Sequence, residues 1–253
     1  MTLVGKTAIV TGSTSGIGEA IAEKLAGSGV KVAVTGRDET RGRQVAERLQ
    51  AQGGEAIFVR ADLSDPAAPE RIVAAAAAAW GRIDIVVNNA ALISNKPLEQ
   101  VVHGDWDSLF AVNLKSAFFV VQAALPYLTA SRGCVINVGS TNSLRNSRDN
   151  LVYDTMKAAL NHMTRGLAME LKNRGIRVNA LLPGGTVTPA LTRWLETYTG
   201  SAEEGRRMLD KELGEGIVAL PEQIADGVLM LADERSSWIN GAAIPIDGGA
   251  HLT

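Results

Sequence analysis

The sequence has a single cysteine, Cys134, in 253 residues, so it cannot build an intramolecular disulfide framework or a cysteine-based zinc site. An excess of one charge is missing too. The 25 Lys and Arg stand against 27 Asp and Glu, a formal net charge of −2, which gives no basic field for a nucleic-acid backbone. Only three histidines occur, His103, His162 and His251, and they lie far apart without ligand-spaced partners, which argues against a metal site. No apolar run approaches the roughly 20 residues of a membrane helix. The start MTLVGKTAIVTG has neither the charged opening nor the apolar stretch and cleavage site of a secretory signal. These absences lead us to expect a soluble, cytoplasmic protein. What is plentiful is apolar: 46% hydrophobic against 21% charged residues is the composition of a folded chain with a large core.

Short β-branched runs alternate with longer stretches rich in Ala, Leu and Glu, the pattern of βα units stacked into a parallel sheet. Strands are expected at 7–11, 30–35, 55–60, 83–88, 133–139, 176–182 and 243–246, and helices at 16–27, 39–52, 66–80, 105–130, 151–173 and 221–232. Several strands are apolar at nearly every position, as in a sheet covered on both faces. The expectation is a single-domain α/β fold over residues 1–253, a doubly wound, Rossmann-type parallel sheet of about seven strands. No linker composition or fixed-period repeat interrupts it. From 188 to about 220 the alternation fails, and Trp194, Tyr198, Met208 and Leu213 sit among helix formers; an insertion of this length suits a lid or pocket wall.

The first strand runs into Thr11-Gly12-Ser13-Thr14-Ser15-Gly16-Ile17-Gly18, and a helical pattern follows at once. Glycines there let the backbone approach a pyrophosphate, which the unpaired amides at the helix N-terminus can hold. The same glycines also suit an ordinary tight connection. There is no Walker lysine motif, which disfavours a nucleotide triphosphatase. Tyr153 and Lys157, four apart in a helical stretch, project from one face with Cβ atoms about 5–6 Å apart. An ammonium that close favours phenolate and makes the tyrosine a proton acceptor or donor near neutral pH, although the pair alone also reads as a solvated helix pair. Ser140 ends the fifth strand, on the edge where such folds bind ligands, and its hydroxyl suits polarising a carbonyl. Val138-Gly139-Ser140-Thr141-Asn142 lacks the G-x-S-x-G elbow of a hydrolase. Cys134, within a strand, reads as a small buried hydrophobe.

With the glycine turn, Asn88-Asn89-Ala90-Ala91, Pro183-Gly184, Asp247-Gly248-Gly249 and the Ser140, Tyr153 and Lys157 set, the sequence resembles the short-chain dehydrogenase/reductase family along essentially its whole length. Ala91 replaces the family's usual glycine, and Thr186 stands where an apolar residue is frequent. The resemblance implies hydride transfer between a nicotinamide cofactor and a secondary alcohol or its ketone. In that scheme Ser140 orients the oxygen, and Tyr153 passes the proton. Lys157 lowers the tyrosine pKa and grips the nicotinamide ribose, while Asn113 supports a water linking the lysine to solvent. It also implies cofactor contacts from Gly12, Ser13, Thr14, Ser15, Gly16, Ile17, Gly18, Arg37, Asp62, Leu63, Asn89, Ala90, Ala91, Tyr153, Lys157, Pro183, Gly184, Thr186 and Thr188.

By the family pattern, Gly36 occupies the place of the acid that would bind an adenosine ribose, and Arg37 follows it, which favours NADP(H) over NAD(H). Asp38 reads as the cap of the next helix. Asn95, Lys96, Asn142 and Arg145, with Trp194 and Tyr198 from the insertion, are expected to border a pocket for a polar or anionic substrate, although the polar ones equally suit a solvated rim. The helices at 105–130 and 151–173 carry more apolar surface than one sheet face needs, and the family commonly forms tetramers with such helices; a homotetramer or dimer is expected. The competing reading is a non-catalytic dinucleotide sensor.

Overall fold

The computed structural model describes residues 3–252. Seven strands, β1 (Thr7–Val10), β2 (Lys31–Gly36), β3 (Ala56–Arg60), β4 (Ile85–Asn88), β5 (Cys134–Val138), β6 (Arg177–Pro183) and β7 (Ala243–Ile246), form one parallel sheet in the order β3-β2-β1-β4-β5-β6-β7. β1, β4 and β5 are buried at every position because helices cover both faces, which is why their sequences do not alternate. The chain winds outward from β1 to β3, then returns to place β4 on the other side of β1. The crevice at that reversal opens at the carboxyl ends of β1 and β4.

Helices α1 (Gly16–Gly27), α2 (Glu39–Ala51) and α9 (Pro221–Ala232) cover one face, where Ile21, Leu25, Leu49 and Val228 meet Val32, Val34 and Ile136. The other face is covered by α3 (Ala68–Trp80), α5 (Ser116–Ser131) and α6 (Leu151–Leu171), through Ile72, Val120, Leu128 and Ala168. Asp38 caps α2 as expected, its Oδ1 accepting the Arg41 amide at 3.0 Å.

Two expectations need correction. The helix expected at 105–130 is three pieces, α4 (His103–Phe110), a π-turn at Ala111–Lys115 and α5, because Asn113 bonds sideways to the chain leaving β4 and the winding loosens there. The stretch from His103 to Ser131 is also long and apolar enough, by length and composition, to cross a membrane. Its charges, Asp105, Asp107 and Lys115, cluster toward the start and leave 116–131 uncharged. The helix formers of 188–220 fold into α7 (Pro189–Thr199) and α8 (Ala202–Gly214), which bury Leu195, Leu209 and Val218 against each other. Thr188 and Ser201 cap them, accepting the amides of Leu191 and Glu204.

Candidate active site

The glycine turn is closed to side chains. Gly12 has φ +63°, and a Cβ there would lie 2.8 Å from Ala90 Cα; a Cβ on Gly18 would lie 2.3 Å from the Gly12 carbonyl oxygen. Two residues of the turn and of β4 fasten it. Thr11 Oγ1 accepts the amides of Asn89 and Ala90 at 2.9 and 3.1 Å, and Asn89 Nδ2 donates to the carbonyls of Thr11 and Gly12 at 2.9 and 3.0 Å. Ser15 precedes α1 without using its side chain as a cap, so the first amides of α1 keep their donors for an anion. Thr188 packs against Gly16, with its Cγ2 3.2 Å from where a Cβ would stand. A backbone cradle at a helix start, walled by Thr188, fits a pyrophosphate.

Not every residue expected at the cofactor offers its side chain. Ser13 is fully buried; its hydroxyl donates to Val10 O at 2.7 Å and accepts the Thr35 amide at 2.9 Å, so it ties β1 to β2. Leu63 belongs to the core. Thr186 is buried and donates to Gly184 O at 3.1 Å. Asp62 Oδ1 accepts from the Ser64 amide and hydroxyl at 3.0 and 2.8 Å, and these bonds, with Arg37 nearby, hold its carboxyl below the usual range. A Cβ on Gly36 would lie 2.5 Å from Thr14 Cγ2 and would require that side chain to shift, while Arg37 is exposed beside it.

Further along the same edge, β5 delivers Ser140 and α6 delivers Tyr153 and Lys157. Tyr153 lies beside Ser140, close enough for the serine hydroxyl to favour its phenolate, and Ser140 Oγ accepts the Asn142 amide at 3.2 Å. Lys157 is 2% exposed, lies 5.6 Å from the Tyr153 ring centroid and donates to Val138 O at 2.7 Å. Desolvation acts on Tyr153 in the direction opposite to the one expected from the ammonium: it pushes the phenol up to about 12 despite the neighbouring Ser140 hydroxyl, and pushes Lys157 down to about 8. The ammonium is aimed at a carbonyl, and burial penalises the charged form of both groups.

Asn113 sits where α4 gives way to α5, in the π-turn. Its Oδ1 accepts the Leu92 amide at 2.7 Å and its Nδ2 donates to Leu92 O at 2.8 Å, so the side chain pins the chain leaving β4 and keeps one N–H and one lone pair. Of the expected pocket residues, Asn142 donates to Ser147 Oγ and Asp154 Oδ1 at 2.9 and 2.8 Å, and Lys96 pairs with Asp105 at 2.7 Å. Arg145 donates to Ala250 O at 2.8 Å and ties the C-terminal turn to this loop. Asn95 and Ala91 are exposed, and Trp194 and Tyr198 stack on each other with centroids 5.2 Å apart. His251 differs from its expected isolation, since its Nδ1 lies 2.8 Å from Asp247 Oδ2.

Sequence reasoning missed Thr11, Asp154 and Asn161. The last two share a helix face with Lys157 at spacings of three and four, a pattern visible once Lys157 is marked. Asn161 Nδ2 donates to Ser143 Oγ at 2.5 Å.

Residues 12–251 match the family described as Enoyl-(Acyl carrier protein) reductase. A short-chain dehydrogenase/reductase of Aspergillus oryzae is 35% identical over 256 residues, covering 99% of this chain and 96% of that protein. Among solved structures, L-sorbose reductase of Gluconobacter frateurii, complexed with NADPH and L-sorbose, superposes with a TM-score of 0.94 at 28% identity over the whole of both chains. A candidate NAD(P)-dependent gluconate 5-dehydrogenase of Beutenbergia cavernae with bound NADP gives 0.89 at 33% identity, covering 100% of this chain and 99% of that one. The sheet order, the glycine cradle at its switch point and these full-length matches together establish that the chain is an oxidoreductase belonging to the short-chain dehydrogenase/reductase family.

Proposed function

We propose that the protein interconverts a secondary alcohol and its ketone with NADP(H) as the preferred cofactor. The observation that carries this reading is the gathering of Ser140, Tyr153 and the buried Lys157, its Nζ 5.6 Å from the Tyr153 ring centroid, on the sheet edge that also carries the glycine cradle. When bound, the nicotinamide supplies hydride exchange with the carbinol carbon. Ser140 holds the substrate oxygen, and Tyr153 gives that oxygen a proton in reduction or takes it in oxidation. Lys157, with one N–H on Val138 O, has donors left for the ribose hydroxyls. Ser140 also keeps its oxygen aligned through the Asn142 amide, and Ser140 and Tyr153 are both partly exposed, which leaves them open to a substrate.

NADP(H) preference is supported by Gly36, which puts no acidic side chain against a 2′-phosphate, and by the exposed guanidinium of Arg37. The two solved relatives above were crystallised with NADP or NADPH. L-sorbose and gluconate in their descriptions support a polyhydroxylated substrate, in line with a rim that keeps Arg145 and the Trp194–Tyr198 stack. We further propose a homo-oligomer assembled through the apolar face of α4 and α5.

The test is fluorescence titration with NADPH and NADH, followed by turnover on ketoses, polyols, hydroxy acids and simple ketones read at the reduced-nicotinamide absorbance. Tighter NADPH binding with turnover of a panel member is expected. Arg37→Asp should lower the NADPH-over-NADH preference by about tenfold or more, the loss of a charge-assisted phosphate contact; an unchanged ratio removes Arg37 from the assignment. Cofactor binding with no turnover across the panel would favour the sensor reading.

A further inference from the structure

Helix α6 turns one face to the Ser140 loop, and three residues on it each hold a different part. Lys157 reaches Val138 O. Asn161 bonds Ser143 Oγ, which donates in turn to Ser140 O at 2.5 Å. Asp154, one residue beyond Tyr153, is the third. It is 2% exposed, yet it meets only neutral donors: the Ser147 amide at 2.7 Å on Oδ2, Asn142 Nδ2 at 2.8 Å on Oδ1, and Ser147 Oγ at 3.3 and 3.4 Å. A buried carboxylate is costly unless its oxygens are filled, and here the donors come from a segment that is otherwise exposed from 144 to 149. Asn142 is shared, since its side chain is held by Asp154 while its amide donates to Ser140 Oγ at 3.2 Å.

We propose that Asp154 is a positioning residue: it clamps Asn142 and Ser147 and, through the Asn142 amide, keeps the Ser140 hydroxyl in register with Tyr153. The proposal rests on the oxidoreductase reading of Ser140 and Tyr153. Its negative charge also opposes phenolate on the adjacent Tyr153, which favours the proton-donating form that ketone reduction uses. The other charged groups around this turn are few. Lys157 on the same helix is turned to Val138 O. Arg145, Arg148 and Asp149 of the covering loop are exposed. On the packed α4 and π-turn, Asp105 is paired with Lys96, and His103, Asp107 and Lys115 are exposed.

Asp154→Asn keeps the size, removes the charge and sets an NH2 against the loop donors. The first readout needs no substrate: hydrogen–deuterium exchange of the 142–147 amides in the full chain, with and without NADPH. Exchange at Asn142 and Ser147 should rise about tenfold or more while sheet amides keep their rates. The second is kinetic, on the ketone that the wild type reduces fastest. The expectation is a kcat about tenfold lower or more, a KM within about threefold, and an alkaline limb moved about half a pH unit or more to lower pH. If this variant loses NADPH binding, Asn142→Ala, which cuts the clamp and leaves the charge, should speed loop exchange and lower kcat without moving the limb. Unchanged exchange and an unmoved kcat in a folded variant would overturn the proposal. Absence of any wild-type turnover would fail the oxidoreductase reading instead, and exchange alone would then decide the clamp.

Discussion

At the scale of single residues, the site is defined by what burial does to two neighbouring ionisable groups. Tyr153→Phe removes the transferable proton and keeps the ring, so turnover should fall by about a hundredfold or more while NADPH affinity stays within about threefold. Retained turnover would end the proton-transfer role. Lys157 has a further, measurable consequence for stability. Its value falls from 10.5 to about 8 on folding, so between those pH values the unfolded chain holds a proton that the native chain has lost, and stability rises with pH through that window. Tyr153 works the other way: its value rises from 10.0 to about 12, and stability falls as pH climbs through that range. The Tm of the ligand-free protein should therefore rise from pH 8 toward 10 and fall beyond. Lys157→Met should lose the rise and keep the fall; identical Tm profiles for the two proteins would show that the lysine is not held as described. Tyr153, Lys157 and Ser140 were all legible in the sequence, because their chemistry is written in residue type and spacing. Where the Lys157 ammonium points was not, since the Val138 carbonyl reaches it only through packing of α6 on β5.

At the scale of elements, the break between α4 and α5 shows how one polar side chain reshapes a helix. Periodicity reads 105–130 as continuous because the apolar positions hardly lose phase across a single π-turn. The interruption comes from Asn113, whose two bonds to Leu92 connect residues 21 apart in sequence. Asn113→Leu leaves the partly buried Leu92 amide and carbonyl without these partners and should cost about 1–3 kcal/mol, read as a lower denaturation midpoint at unchanged m-value. A midpoint equal to wild type would mean that the π-turn is set by something else. Helices α7 and α8 went unread for a related reason. Their apolar residues serve mainly to pack the pair on itself, so neither shows the strand-flanking pattern that marks the sheet-covering helices.

At the scale of the whole molecule, the order β3-β2-β1-β4-β5-β6-β7 gathers the Thr11–Gly18 turn, Asn89, Ser140 and Pro183 at one sheet edge, although they are spread over more than half the chain. It also leaves apolar side chains facing outward on the 103–131 stretch: Trp106, Phe110, Phe118 and Phe119 are each about 40% exposed, and the two adjacent phenylalanines meet edge to face at 5.3 Å. Exposed aromatics grouped in this way mark an interaction surface. Phe119→Glu should shift the protein toward smaller species in light scattering after size exclusion; an unchanged mass would take this face out of the assembly. The sequence by itself determined the alternating α/β architecture, the parallel sheet, the cradle glycines and the identity of the serine, tyrosine and lysine, because each follows from local periodicity or from residue chemistry at short spacing. Only the tertiary structure decided that Asn113, Ser13, Asn142 and Lys96 hold structural bonds, that a Cβ at Gly36 would meet the Thr14 side chain, and that Asp154 and Asn161 brace the Ser140 loop. Those outcomes depend on which donors and acceptors meet across strands and helices distant in sequence, and a buried polar group takes whichever partner the packing brings within reach.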